Sequence, residues 1–190
     1  ADSGRVRPLR ERSAVSTTRL TPVPRDEAVR RVRVDHELLL ARVDGLSEAE
    51  LVAAYRPTAG PLGDFCESLH DLIAHVLMWD EINLAVLTEA AAGRTHWSLD
   101  PRWETPEAGR QLNRGGVAAG RHVPPEALLH RFRTVRDALL DELGRISERA
   151  WTQAGPAPLL ATGFGGLAER IWSVPGQPAY WHAAIHLNQL

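Results

Sequence analysis

Leu69-His70-Asp71-Leu72-Ile73-Ala74-His75-Val76-Leu77-Met78-Trp79-Asp80-Glu81-Ile82-Asn83-Leu84-Ala85-Val86 decides the fold class. Leu69, Leu72, Ile73, Val76, Trp79, Ile82 and Val86 recur every three or four residues, which is the period of a helix with one wide apolar face. The pattern predicts a helix over residues 64–91. His75 lies on that face, three residues after Leu72 and four before Trp79. A histidine aimed into a core needs a partner for its ring nitrogens: a backbone carbonyl, a carboxylate, a water or a metal.

Two further segments carry the same period. Residues 25–44 follow Pro22 and Pro24 and place Val29, Val32, Leu39, Leu40 and Val43 on one stripe, with His36 beside them. Gly45 is suited to the C′ position that ends such a helix. Residues 124–144 open on two prolines, which fit a first helical turn, and align Leu128, Phe132, Val135, Leu139 and Leu143. After each of these helices comes a similar run, Gly45-Leu46-Ser47-Glu48-Ala49-Glu50-Leu51 and Arg145-Ile146-Ser147-Glu148-Arg149-Ala150-Trp151. The match suggests a helix-plus-turn unit used twice, with chance as the alternative. The run 56–63 is a loop by its Pro and Gly content. Residues 93–123 form a long connection with a short helix over 107–119, where Asn113 and Arg114 are the polar residues of interest. A loop over 152–166 and a short helix over 167–172 lead toward the end of the chain. Gly163-Phe164-Gly165-Gly166 lacks the Lys-Ser/Thr ending of a phosphate loop.

The chain closes on Pro178-Ala179-Tyr180-Trp181-His182-Ala183-Ala184-Ile185-His186-Leu187-Asn188-Gln189-Leu190. Read as a helix over 178–190, this segment stacks His182 and His186 on one face. Two imidazoles at that spacing can share one metal ion, although the spacing is also common in ordinary helix ends. No segment alternates with period two. The fold class is therefore all-α: an antiparallel four-helix bundle with a long crossover between helices two and three, spanning residues 21–190. Residues 1–20, rich in Arg, Ser and Thr, read as a mobile arm. If helices two and four face each other, His75 meets His182 and His186, and three imidazoles leave an open position for water or substrate.

Composition narrows the function classes. A net charge of -2 provides no basic excess for phosphates, so no nucleic-acid partner is expected. No apolar run approaches a membrane span, so no membrane partner is expected either. A single Cys excludes an internal disulfide and fits a reducing cytoplasm. All 22 basic residues are Arg, as in the GC-rich coding sequences of many actinobacteria. A homodimer through exposed bundle faces is left open.

Leu72-Ile73-Ala74-His75-Val76-Leu77-Met78-Trp79-Asp80 resembles the second-helix signature of the DinB-like superfamily, which includes mycothiol-dependent maleylpyruvate isomerases and bacillithiol transferases. His182-Ala183-Ala184-Ile185-His186-Leu187-Asn188-Gln189-Leu190 resembles its closing run. The resemblance extends from about Pro22 to Leu190. It implies a divalent metal held by His75, His182 and His186, and often thiol-transfer chemistry; sites of three histidines accept zinc, nickel or iron, and the actinobacterial-looking composition makes mycothiol the natural thiol co-substrate. It also departs from the family pattern: Phe65-Cys66-Glu67-Ser68 stands where a Trp is usual.

The expected reaction is attack by a metal-activated thiol or water on an electrophilic small molecule. The alternatives are a natural-product tailoring or self-resistance enzyme that opens or hydrolyses a reactive ring, and a bundle that binds a ligand without catalysis. Trp79, Asn113, Tyr180 and Gln189 are the candidate substrate-binding residues, Gln189 aimed at the open metal position and Tyr180 with Trp181 lining the pocket or packing in the core. His36 is read as a group supporting the site or as a satisfied core histidine. Cys66 is read as inert, with a helix-activated nucleophile as the alternative. His70 lies about 140° from His75 around the helix and points elsewhere. His96, His122 and His130 read as surface, and Asp80 and Glu81 as solvated carboxylates that could serve as acid or base.

Overall fold

The computed structural model describes residues 22–56, 61–174 and 176–190. The arm over residues 1–20 lies outside the described residues, as does part of the 56–63 loop. Eight helices are described: α1 (Arg25–Val43), α2 (Glu48–Val52), α3 (Leu69–Ala91), α4 (Pro106–Gly120), α5 (Pro125–Arg145), α6 (Glu148–Thr152), α7 (Gly163–Ile171) and α8 (His182–Leu187), with no strand among the described residues. The fold is an all-α antiparallel bundle with a long crossover between α3 and α5. Helix α3 is central and packs on α5, α4, α2 and α8, while α1 packs on α5 and α8.

Local chemistry sets the ends of these helices. α1 stops before Gly45, whose φ of +73° suits glycine. The second long helix begins at Leu69 rather than Asp64. Ser68 caps it by accepting from the Asp71 N–H at 3.1 Å, and the Asp71 carboxylate accepts from the Glu67 N–H at 2.9 Å. These reciprocal bonds fix the start five residues after the end of a separate 3-10 turn at 61–64. The two similar runs form the same structure: Ser47 caps α2 and Ser147 caps α6, and both Leu51 and Trp151 are buried. The crossover holds more helix than its glycines suggest. α4 runs fifteen residues, because a Cβ at Gly120 would sit 2.3 Å from the Ala74 Cβ, so only glycine allows this helix so close to α3. Arg121 ties its far end to Asp71 through two bonds of 2.7 and 3.0 Å.

The largest difference from expectation is at the last helix, which spans six residues instead of thirteen. Tyr180 adopts φ +74°, a left-handed conformation that a helix cannot continue through. Its ring is fully buried against Trp172, 5.7 Å between centroids, so packing holds the strained backbone. Helix α8 can therefore start only at His182. Its first free N–H groups are met from another helix, as described below.

The core falls into two main clusters. Leu72, Ile73, Val76, Leu77, Val117, Leu128 and Phe132 anchor the one under the three histidines. Val32, Leu87, Leu139, Leu143, Trp151 and Tyr180 anchor the other. Each such fully buried side chain contributes about 1.5–3 kcal/mol.

Candidate metal centre

The three histidines converge. His75 Nε2 lies 3.0 Å from His182 Nε2 and 3.1 Å from His186 Nε2. All three ligand atoms lie within 4.8 Å of one another. Two ligands each about 2.1 Å from a shared ion can be no more than about 4.2 Å apart; the two separations from His75 satisfy that limit, and the His182–His186 pair is bounded at 4.8 Å. Burial, then the neighbouring His186, pushes His75 well below the usual imidazole range. Burial together with His75, His186 and Arg136 does the same to His182. Burial also lowers His186, with Gln189 and Asp35 pulling the other way. The rings are therefore neutral at neutral pH, the form a metal requires.

The donor set fits a cation. His186 Nδ1 lies 3.1 Å from Gln189 Oε1, an acceptor, so its proton sits on Nδ1 and Nε2 carries a free lone pair. His75 Nε2 faces two other ring nitrogens and can donate to only one. An ion shared by the three satisfies all of the facing lone pairs. His75 Nδ1 is buried with no partner among the described residues. Leaving such a group unpaired costs about 1–3 kcal/mol.

Above the cluster is a cavity of about 280 Å³, lined by Phe65, Trp79, Asn83, Asn113, Ile171 and Trp172 among others. Among the described residues, no charged side chain lines it. Phe65 packs on His75 with 4.6 Å between ring centroids. The Trp79 indole N–H donates to Asn113 Oδ1 at 2.9 Å, joining α3 to α4 across the cavity wall.

The expected binding residues divide into two groups. Trp79 and Asn113 line the cavity, whereas Tyr180 and Gln189 do not. Tyr180 is a core residue, and Gln189 meets the far nitrogen of His186, so it orients a ring rather than facing the open position. Trp181 is also absent from the lining, at the residue before α8. His70 bonds the Val123 carbonyl at 2.9 Å, away from the cluster. His36 is buried edge-on to Phe132, its Nε2 has no partner among the described residues, and burial with Arg136 and Arg133 lowers it to about 4. Cys66 precedes α3 and is buried. Burial and Asp71 push its thiol up, opposite to what a nucleophile needs. Of the remaining histidines, His122 and His130 are exposed, while His96 caps a short turn at Ser98.

The reading of Asp80 as a solvated carboxylate is overturned: Asp80 is 0% exposed. It accepts from Arg136 Nε, while Arg136 Nη2 donates to Asp35 Oδ2 at 3.3 Å and Nη1 to the Val32 carbonyl at 3.1 Å. Arg136 is 0% and Asp35 1% exposed. Burial pushes the Asp80 carboxyl up to about 6, against the pull of Arg136. Glu81 stays near the surface and pairs with Arg131.

Asp35 is the functional residue that sequence reasoning missed. Its carboxylate accepts the N–H groups of Ala183 at 3.1 Å and Ala184 at 2.8 Å. It therefore caps α8 from α1 and sets the position of His182 and His186. A signal was available. Asp35 falls between Val32 and Leu39, Arg136 between Phe132 and Leu139, and Asp80 between Val76 and Leu87, each at a core position of its own helix. A polar residue of complementary charge at the inner position of three helices predicts a buried cluster.

Comparison with known proteins was informative at the level of fold. The profile of the DinB superfamily matches residues 31–190. A crystal structure of an uncharacterised protein from Escherichia coli UTI89 superposes with a TM-score of 0.67 at 12% identity, covering 89% of this chain and 92% of that one. The colibactin self-resistance protein ClbS, solved in complex with a dsDNA, superposes with a TM-score of 0.66 at 18% identity, covering 87% of this chain and 94% of that one. No curated protein matches the sequence. Among the described residues, no helix is long and apolar enough to cross a membrane.

Proposed function

The chain belongs to the DinB superfamily, and from that premise we propose that it is a metal-dependent enzyme acting on an electrophilic small molecule. The observation that carries this reading is the convergence of three neutral imidazoles at the floor of an uncharged cavity. His75, His182 and His186 would hold a divalent zinc, nickel or iron ion. When bound, that ion supplies Lewis acidity, which lowers the pKa of a water or thiol and makes it nucleophilic near neutral pH.

The remaining roles belong to the protein. Asp35 holds the first turn of α8 and so keeps two ligand rings aimed at the third. Gln189 fixes the proton of His186 on Nδ1. Phe65 and Trp172 keep water off the cluster, and Trp79 braced by Asn113 orients the substrate over it. The Asp80 carboxyl is enclosed with Arg136, so it is no general acid or base for the cavity.

In the first form of the proposal the nucleophile is a thiol, with mycothiol as co-substrate. A second form, with water opening or hydrolysing a reactive ring in self-resistance or natural-product tailoring, draws on the fold likeness to ClbS. The net charge of -2 supports a small molecule rather than a nucleic acid as partner. The test is metal analysis of the purified chain, then turnover of epoxides and other strained electrophiles with and without added thiol. Thiol-dependent turnover supports the first form and thiol-independent turnover the second. A chain that holds no metal at its histidines and shows neither turnover is the non-catalytic ligand-binding bundle.

A further inference from the structure

A second cavity, of about 250 Å³, adjoins the first and shares Trp79, Asn83, Ile171 and Ser173 with it. Asn83 stands where the two meet. It is 4% exposed, and no described residue hydrogen-bonds its carboxamide. The Asn83 carboxamide opens onto this space, where a ligand's donor and acceptor can take the place of water. Here it faces space on both sides.

The helix sets the scale. Asn83 follows His75 by eight residues on α3, about 12 Å along the axis, with Trp79 midway on the same face. Ile82, Val86, Leu99 and Trp103 also line the second cavity. Trp103 is half-exposed and packs edge-on to Trp97, 5.5 Å between centroids. The charged residues in this lining, Glu104 and Arg170, are paired to each other. The described lining is therefore mostly apolar and carries no unpaired charge, with the Asn83 carboxamide where the two cavities meet.

We propose that both cavities form one elongated site for a neutral, extended amide: the reactive end at the three histidines, a secondary amide paired with Asn83, and an apolar, planar tail reaching Trp103. A carboxamide offers one acceptor and two donors, so it can pair with both the N–H and the C=O of such an amide. The two volumes, taken together, fall within the span of roughly 300–1,000 Å³ typical of small-molecule sites. The assignment rests on the proposed metal reading for its reactive end alone, because the Asn83 subsite does not need the ion.

The probes are hydroxamates carrying an anilide at the far end of a methylene linker, lengthened one carbon at a time, with acetohydroxamate as the short reference. Titrated calorimetrically into the zinc-loaded full chain, they should bind better as the linker grows, pass through an optimum, and then weaken. In Asn83→Leu and Asn83→Ser the optimum should disappear and the best probe should lose about tenfold or more, the factor for one buried hydrogen bond left unmade. Circular dichroism and melting identify any variant that fails to fold, and the two substitutions differ enough in size to give one that does. A second arm titrates N-phenylhexanamide, which has no chelating group, into the metal-free chain. If zinc does not bind but this anilide still prefers the native chain over the Asn83 variants, the subsite stands and the metal reading falls. If zinc and acetohydroxamate bind but affinity ignores linker length, or the Asn83 variants keep the optimum, the elongated site is overturned and the metal reading stands.

Discussion

The Asp35–Arg136–Asp80 cluster and the three-histidine cluster are both polar islands in an apolar bundle, and they meet through α8. In the first, opposite charges face one another and five hydrogen bonds bind α1, α3, α5 and α8 together, with Asp80 Oδ1 the one side-chain oxygen of the cluster left without a partner among the described residues. In the second, like groups face one another, and ring nitrogens are left without donors. The charge-paired cluster is of the kind whose loss destabilises a fold. The open one gains stability only by acquiring a cation. The difference assigns structure to the first and chemistry to the second, and it can be tested by damaging each in turn.

The largest effect should come from Arg136→Ala. It strands two carboxylates in the core, and removing one partner of a buried ion cluster costs about 3–5 kcal/mol. Urea unfolding of the metal-free chain measures it. Under the same conditions His75→Ala should cost far less, because it also removes an unsatisfied ring nitrogen. Equal losses in the two variants would erase the distinction.

A pH experiment sharpens the same contrast. His36 is held near 4 in the folded chain, below the ordinary value of 6.5. Its contribution to stability is therefore present above about 6.5 and lost as pH falls toward 4, by about 3 kcal/mol for a shift of that size. Asp80, raised to about 6, acts in the opposite sense over the same window: its proton favours the fold at low pH. The two partly cancel, so the readout is the difference between the native chain and His36→Phe. That difference should grow by about 3 kcal/mol from pH 4 to 6.5. A difference that stays flat would mean that His36 is not the buried neutral ring described here.

Asp35→Asn should have an intermediate effect on folding and a larger one on the site. The amide keeps one acceptor for α8 but loses its charge toward Arg136. Metal affinity should fall about 10- to 100-fold, the range for groups that orient ligands. Gln189→Leu should lower metal affinity within the same range while changing stability by less than about 0.5 kcal/mol. Competition against a coloured chelator reads both.

Much of this was legible from periodicity. The stripes of α1, α3 and α5 announce three core helices, and the positions of His75, His182 and His186 follow once α3 and α8 are neighbours. What periodicity hides is anything set by a partner in space. Asp80 looks solvated until Arg136 is placed opposite it. The length of α8 depends on Tyr180 being pinned in a left-handed conformation by Trp172, which no local propensity predicts. Gln189 reads as a substrate residue because its spacing from His186 is right, yet its amide meets the ring's other nitrogen. Asn83 has no sequence signal, because its meaning lies in the two cavities that it lines.

The central claim is that the three histidines form a metal centre. Its most direct test is calorimetric titration of zinc into the metal-stripped full chain, beside His75→Ala, His182→Ala and His186→Ala. The account predicts one ion per native chain, with affinity reduced by orders of magnitude in all three variants and unchanged in His96→Ala. No binding to the native chain, or binding that all three variants retain, would contradict it.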